Sequence, residues 1–196
     1  VGAGNNGGDG LVAGKYLAET SQYEVRFYLL KRLDETNLPY QDVLSHGLFI
    51  AYAEDDYDGR VLRHMVASAD LILDALLGIG VRLPLSGDLA RILRMTRQAM
   101  RERKTELFNL PIIHPTNPAY FSSKYAPKIL AVDCPSGVNC DTGEVDDNTL
   151  EADATITFIA PKNRLGEISC RQFCRRIDDC PIRHPNHPTH NEKRCR

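Results

Sequence analysis

The sequence predicts an α/β fold: a Rossmann-like, doubly wound and mostly parallel sheet whose first strand is truncated. Two observations predict it. Short apolar runs alternate with stretches of helical spacing, and each apolar run ends in a Gly, Pro or Ser turn. The composition agrees, with 196 residues, 42% hydrophobic, 26% charged and a net charge of −2, enough for one domain with a core.

The elements follow in order. Val1 runs straight into Gly2-Ala3-Gly4-Asn5-Asn6-Gly7-Gly8-Asp9-Gly10. Such a glycine turn follows a buried strand, and only Val1 stands for that strand, so the chain reads as N-terminally incomplete. Residues 11–19 place Leu11, Val12, Tyr16 and Leu17 on one helical face. Residues 25–30 read as a buried strand, 31–47 as loop with some helix, and 48–53 as a short strand. Residues 57–69 align Val61, Leu62, Met65 and Val66 on a helix. Residues 71–77 read as a strong buried strand, ending in Gly78-Ile79-Gly80. A helix rich in Arg and Met follows over 89–106, then an irregular insertion over 107–127 with four prolines. Residues 128–134 and 154–159 are the last strands, ending in Pro135-Ser136-Gly137 and Ala160-Pro161-Lys162.

The chain divides at about residue 168. Residues 161–196 hold nine Lys+Arg against four Asp+Glu, while the body is acidic. Four of the six cysteines, Cys170, Cys174, Cys180 and Cys195, lie in this tail beside His184, His187 and His190. Their spacing fits no standard zinc pattern. With three bulky apolar residues beyond Ser169, residues 169–196 are expected to be an aberrant or disordered tail without fixed packing. No apolar run approaches the roughly 18–20 residues of a membrane span. A near-neutral balance without Trp gives no support to nucleic-acid binding. No secretion signal opens the chain, which points to a reducing compartment.

In a doubly wound sheet, ligands bind beyond the carboxyl ends of the strands. Three polar turns lie at such ends and should meet in one crevice. The first fits G-x-G-x-x-G as Gly2, Gly4 and Gly7, by itself a weak phosphate signal. The acidic residue that would hold a ribose is missing after the second strand, where Lys31 and Arg32 stand, which argues against a plain dehydrogenase. Asn5, Asn6 and Asp9 offer oxygens suited to a hard cation or a ribose. The second turn carries Asp74, which inside an apolar strand must be paired, ion-bound or used as a helix cap. The third carries Asp133 and Ser136. Asp133 reads either as a general acid–base or as a satisfied turn carboxylate, and Ser136 lacks the His base a nucleophile needs.

The motifs Gly4-Asn5-Asn6-Gly7-Gly8-Asp9-Gly10, Asp74-Ala75-Leu76-Leu77-Gly78-Ile79-Gly80 and Asp133-Cys134-Pro135-Ser136-Gly137, with Asp141-Thr142-Gly143-Glu144 and Ala160-Pro161-Lys162, resemble the NAD(P)H-hydrate epimerase family. This is the YjeF N-terminal domain, also the N-terminal half of the bifunctional NAD(P)H-hydrate repair enzyme. The resemblance covers residues 1 to about 162, so the domain is expected over 1–168. It implies an isomerase that interconverts the R and S forms of hydrated NADH and NADPH (NADHX and NADPHX) in the cytoplasm. It implies one K+ held by Asn6, Asp74 and Ser136. It implies hydrate contacts from Asn5, Asn6, Gly7, Gly8 and Asp9, from Gly78, Ile79, Gly80, Val81, Arg82, Leu83 and Pro84, and from Asp133. The expected reaction loses hydroxide from the hemiaminal-like carbon, with Asp133 as proton donor and acceptor, and readmits water from the other face. A dehydratase, fused in some genes, is the implied functional partner, and a homodimer is left open. A non-catalytic binding or scaffold module on the same fold is the alternative. Departures are Ile79 for the usual Thr, Cys134 for Ile or Leu, the long 107–127 insertion, and an apolar run that stops at Gly166-Glu167-Ile168. Cys140 reads as incidental.

Overall fold

The computed structural model describes residues 1–20, 22–108, 126–158 and 177–180. Among the described residues there are ten elements, with helix and strand alternating from α1 to β4 as predicted: α1(Asn5–Glu19), β1(Arg26–Leu29), α2(Leu38–Ser45), β2(Phe49–Tyr52), α3(Arg60–Ser68), β3(Leu71–Asp74), α4(Gly87–Phe108), β4(Lys128–Val132), β5(Ala154–Phe158) and β6(Ile177–Cys180). All four strand pairs are parallel: β1 with β2, β3 with β4, β4 with β5, and β5 with β6.

The alternation of β1 separates two helical layers. Phe27 and Leu29 point to one face and pack with Leu11 of α1 and Tyr40 and Val43 of α2. Tyr28 points to the other face and packs with Leu62 and Val66 of α3 and Ile92 and Ala99 of α4. Ile129 and Ala131 of β4 continue the core against Leu93 of α4. Helix ends are tied locally. Asn37 caps α2 by accepting from the Tyr40 amide at 3.0 Å. The buried Asp56 accepts from the Val61 and Leu62 amides at the start of α3 and from the Tyr28 hydroxyl.

Val1 joins the two halves of the sheet. Its amino group donates to Tyr28 O and its carbonyl accepts from the Leu30 amide, while the Gly2 amide donates to Ala75 O at 2.9 Å. Val1 and Gly2 therefore lie between β1 and β3, at their carboxyl ends, bonded to both segments. Below it, between β1 and β3, lies a cavity of about 560 Å³ lined mainly by apolar side chains of both strands, α3 and α4.

That cavity corrects one expectation. Residues 71–77 read as a strong buried strand, yet β3 ends at Asp74, Leu71 is 47% exposed, and Ile72 and Leu73 are only half-buried. Hydrophobicity predicts burial only where a neighbour covers the edge, and β3 has β4 on one side and the cavity on the other. A second correction concerns α1, which starts at Asn5 and not at Leu11. Gly7 and Gly10 lie inside the helix where it packs too closely for side chains: a Cβ on Gly7 would meet the Gly2 backbone, and one on Gly10 would sit 2.4 Å from that of Ala75. Within the tail, where composition predicts no fixed packing, residues 177–180 stand as β6 against β5. The rest of the tail, with the histidines of the rejected zinc reading, and the insertion over 109–125 lie outside the described residues.

Candidate functional site

The carboxyl ends of Val1, β3 and β4 are adjacent in the sheet, so the three polar turns leave it side by side. Asp74, the last residue of β3, is 4% exposed. It caps no helix. Its Oδ2 accepts the Ser136 amide at 2.8 Å and its Oδ1 the Ser136 hydroxyl at 2.5 Å, with the Leu76 amide at 3.3 Å. Burial pushes the Asp74 carboxyl above its ordinary range, against the pull of the Ser136 hydroxyl and amide. Ser136 Oγ in turn accepts from the Leu77 amide at 2.9 Å.

Leu77 links this pair to α1. Asn6 donates its Nδ2 to the Leu77 carbonyl at 3.0 Å, and its buried Oδ1 has no hydrogen-bond partner. A buried amide oxygen left in that state is costly and suits a cation. Asn6 Oδ1, the Asp74 carboxylate and Ser136 Oγ are all hard oxygen donors, and the carboxylate and hydroxyl keep lone pairs beyond those already used. The residues present therefore fit K+.

Asp133 follows β4 directly, 8% exposed, with φ of +65°. A non-glycine residue in that region is strained, and the Asp133 amide is held there by Ile156 O at 2.7 Å. The carboxylate faces Gly78. A Cβ built on Gly78 would lie 3.1 Å from Asp133 Oδ2 and 3.4 Å from the Asn6 Cβ, so α1, the β3 turn and the β4 turn meet at this glycine. Asp9, one helical turn after Asn6, has its carboxyl raised by partial burial and then by the charge of Asp133, which places two carboxylates within electrostatic reach of each other.

The other predicted contacts are arranged unevenly. Asn5 is exposed at the first position of α1, and Asn5, Asn6 and Asp9 are helical residues, not the loop residues the sequence suggested. Gly7 is buried where α1 meets the Gly2 backbone, and Gly8 is half-buried. Beyond Gly78, Ile79 is 59% exposed and Gly80, Arg82 and Pro84 are exposed, whereas Val81 and Leu83 are half-buried. This stretch ends at Leu85, whose amide donates to the buried Asp146 at 2.7 Å. Sequence reading overlooked Asp146. Its only signal was the Asp146-Asp147-Asn148 run, which folds as a turn with the Asn148 amide on Asp146 Oδ1. Arg32 is paired with Glu54 and Asp55 and lies 4.2 Å over the Tyr52 ring.

Residues 1–164 match the family model described as YjeF-related protein N-terminus. The chain is similar to the NAD(P)H-hydrate epimerase of Clavibacter michiganensis subsp. michiganensis, at 31% identity over 91% of this chain and 68% of that protein. It is 33% identical, over the same shares, to the NAD(P)H-hydrate epimerase of Clavibacter sepedonicus. It is 35% identical to the bifunctional NAD(P)H-hydrate repair enzyme Nnr of Escherichia coli, covering 82% of this chain and 25% of that enzyme. A crystal structure of yeast YNL200c has the same fold, with a TM-score of 0.63 at 18% identity over 91% of this chain and 62% of the other.

Proposed function

The chain belongs to the YjeF-related N-terminal family, and from that premise we propose that it interconverts the R and S forms of hydrated NADH and NADPH. The observation that supports this most directly is the meeting of Asp133 and Asn6 at Gly78. Gly78, where even a Cβ would crowd Asp133, lets the backbone come up close to a carboxylate that can move a proton.

The reacting carbon of the hydrate carries both a hydroxyl and the ring nitrogen. Asp133 gives a proton to the hydroxyl, which leaves as water. The nitrogen lone pair forms a C=N bond and bears the resulting charge. Water then adds to the opposite face and returns a proton to Asp133. No net proton or electron is consumed, as an epimerisation requires.

K+ in the cradle of Asn6, Asp74 and Ser136 would supply a fixed positive charge next to the substrate. Asp74 and Ser136 tie the turns after β3 and β4 together, and Asn6 adds α1 through Leu77. Gly78 to Pro84 form the open side through which a ligand enters, fastened at Leu85 by Asp146. The product S form would pass to a dehydratase, and we read the second activity of the bifunctional relatives as that step. Among the described residues no helix is long and apolar enough to cross a membrane. We place the reaction in the cytoplasm, a compartment that would keep Cys134 and Cys140 as thiols.

The test is chromatographic. Separated R and S hydrates, each incubated with the protein in potassium buffer, should relax to one common mixture far faster than without it. Relaxation at the uncatalysed rate would overturn the reading.

A further inference from the structure

Cys134 and Cys140 take no part in the reaction proposed above, yet they lie in the loop that carries Asp133 and Ser136, packed with Val138 and Val145. Their sulfurs are 2.8 Å apart, and the residues are 0% and 3% exposed. Between them run Pro135-Ser136-Gly137-Val138-Asn139, so the pair brackets the segment that binds Asp74. The segment is already folded back on itself. Cys134 Sγ lies 3.5 Å from Val138 O, Val138 bridges Val145, and the Asn139 amide donates to Glu144 O. A disulfide has its sulfurs about 2.0 Å apart, so bond formation asks for a closing movement of under about 1 Å.

We propose that Cys134 and Cys140 are a reversible dithiol–disulfide site, oxidised by hydrogen peroxide and reduced by small thiols, that clasps the loop bearing Asp133 and Ser136. The chemistry balances. One sulfur attacks a peroxide oxygen, the O–O bond breaks, the leaving hydroxide takes up a proton as water, and a sulfenic acid remains. The second sulfur displaces the sulfenic hydroxyl, which departs with the second thiol proton as another water. Two thiols lose two electrons in total, and one peroxide becomes two waters. A small thiol reverses the bond through a mixed disulfide. Burial makes the loop's opening the gate for the oxidant. The short approach of the sulfurs then lets the partner capture the sulfenic acid before it oxidises further.

This site does not depend on the epimerase reading, and its test needs no substrate. The full chain is treated with graded peroxide, alkylated and mapped by mass spectrometry, with the urea-unfolded chain as a reactivity control. The expected product is an intramolecular Cys134–Cys140 link that dithiothreitol opens. The oxidised chain should melt at a higher temperature than the reduced one, because closing the loop restricts the unfolded state. Cys134→Ile, with an apolar side chain in the same place, should lose both the link and the peroxide-induced shift. Three results would overturn the proposal: both cysteines recovered as alkylated thiols at a dose that oxidises the unfolded chain, sulfinic acids without a link, or links only to the tail cysteines.

Discussion

Ser136 grips Asp74 twice, its amide on one carboxylate oxygen at 2.8 Å and its hydroxyl on the other at 2.5 Å. Asp74 ends β3 and Ser136 lies in the turn after the adjacent β4, so this one pair sets the separation of the turns on which the candidate site is built. A carboxylate this deeply buried is tolerable because donors surround it.

Asp74→Ala leaves the Ser136 amide and the Leu76 amide without their acceptor. Unsatisfied buried donors cost about 1–3 kcal/mol. The variant should melt several degrees lower. If the cation cradle is as described, it should also need more potassium for half-maximal epimerisation. Thermal melts and a potassium titration at constant ionic strength check both, and an unchanged potassium requirement would count against the cradle.

Asp133→Asn keeps the size of the side chain but cannot cycle a proton. The expected loss in kcat is about 10²–10⁴-fold, the usual worth of a general acid–base group, with hydrate binding mostly retained. Isotope-labelled hydrate, followed for both binding and interconversion, separates the two effects. A rate within a few-fold of the parent would remove Asp133 from the mechanism.

Asp146→Ala releases the Leu85 amide, the Asn148 amide and the Asn148 side chain. The stretch from Gly78 to Pro84 loses its far anchor, so KM should rise more than kcat falls. Burial opposes ionisation of Asp146, but the Asn148 and Leu85 amides outweigh it and hold the carboxyl below its usual range. Its contribution to stability is therefore present above the ordinary carboxylate pKa and disappears as pH falls through the lowered value. The parent should lose more stability on acidification than Asp146→Ala does.

Gly10→Ala tests the packing of α1. The new methyl would sit 2.4 Å from the Ala75 Cβ, so the helix must shift away from the β3 turn. Overpacking of this kind costs about 1–3 kcal/mol, despite Ala being the better helix former. Urea denaturation should show a lower midpoint with an unchanged slope, and a midpoint at or above the parent's would show that α1 packs more loosely.

Periodicity and turn chemistry alone located every strand from β1 to β5 and the helices α1, α3 and α4. These signals are local: an alternation of apolar residues, or a Gly, Pro or Ser at a strand end, carries its own physical cause. The three polar turns were legible for the same reason, and parallel topology put their residues at one end of the sheet. Three-dimensional packing decided the rest. Whether Leu71 is buried depends on the neighbour across an edge, and no run of residues encodes that neighbour. Gly7 and Gly10 of α1 read as a turn because their reason for being small, the Gly2 and Ala75 atoms against them, lies elsewhere in the chain. The union of Asp74 with Ser136, 62 residues apart, and the 2.8 Å approach of Cys134 and Cys140 across a turn arise only when the strands are laid side by side. Hydrogen bonds and sulfur contacts act over a few ångströms, and only the folded chain brings such residues within that range.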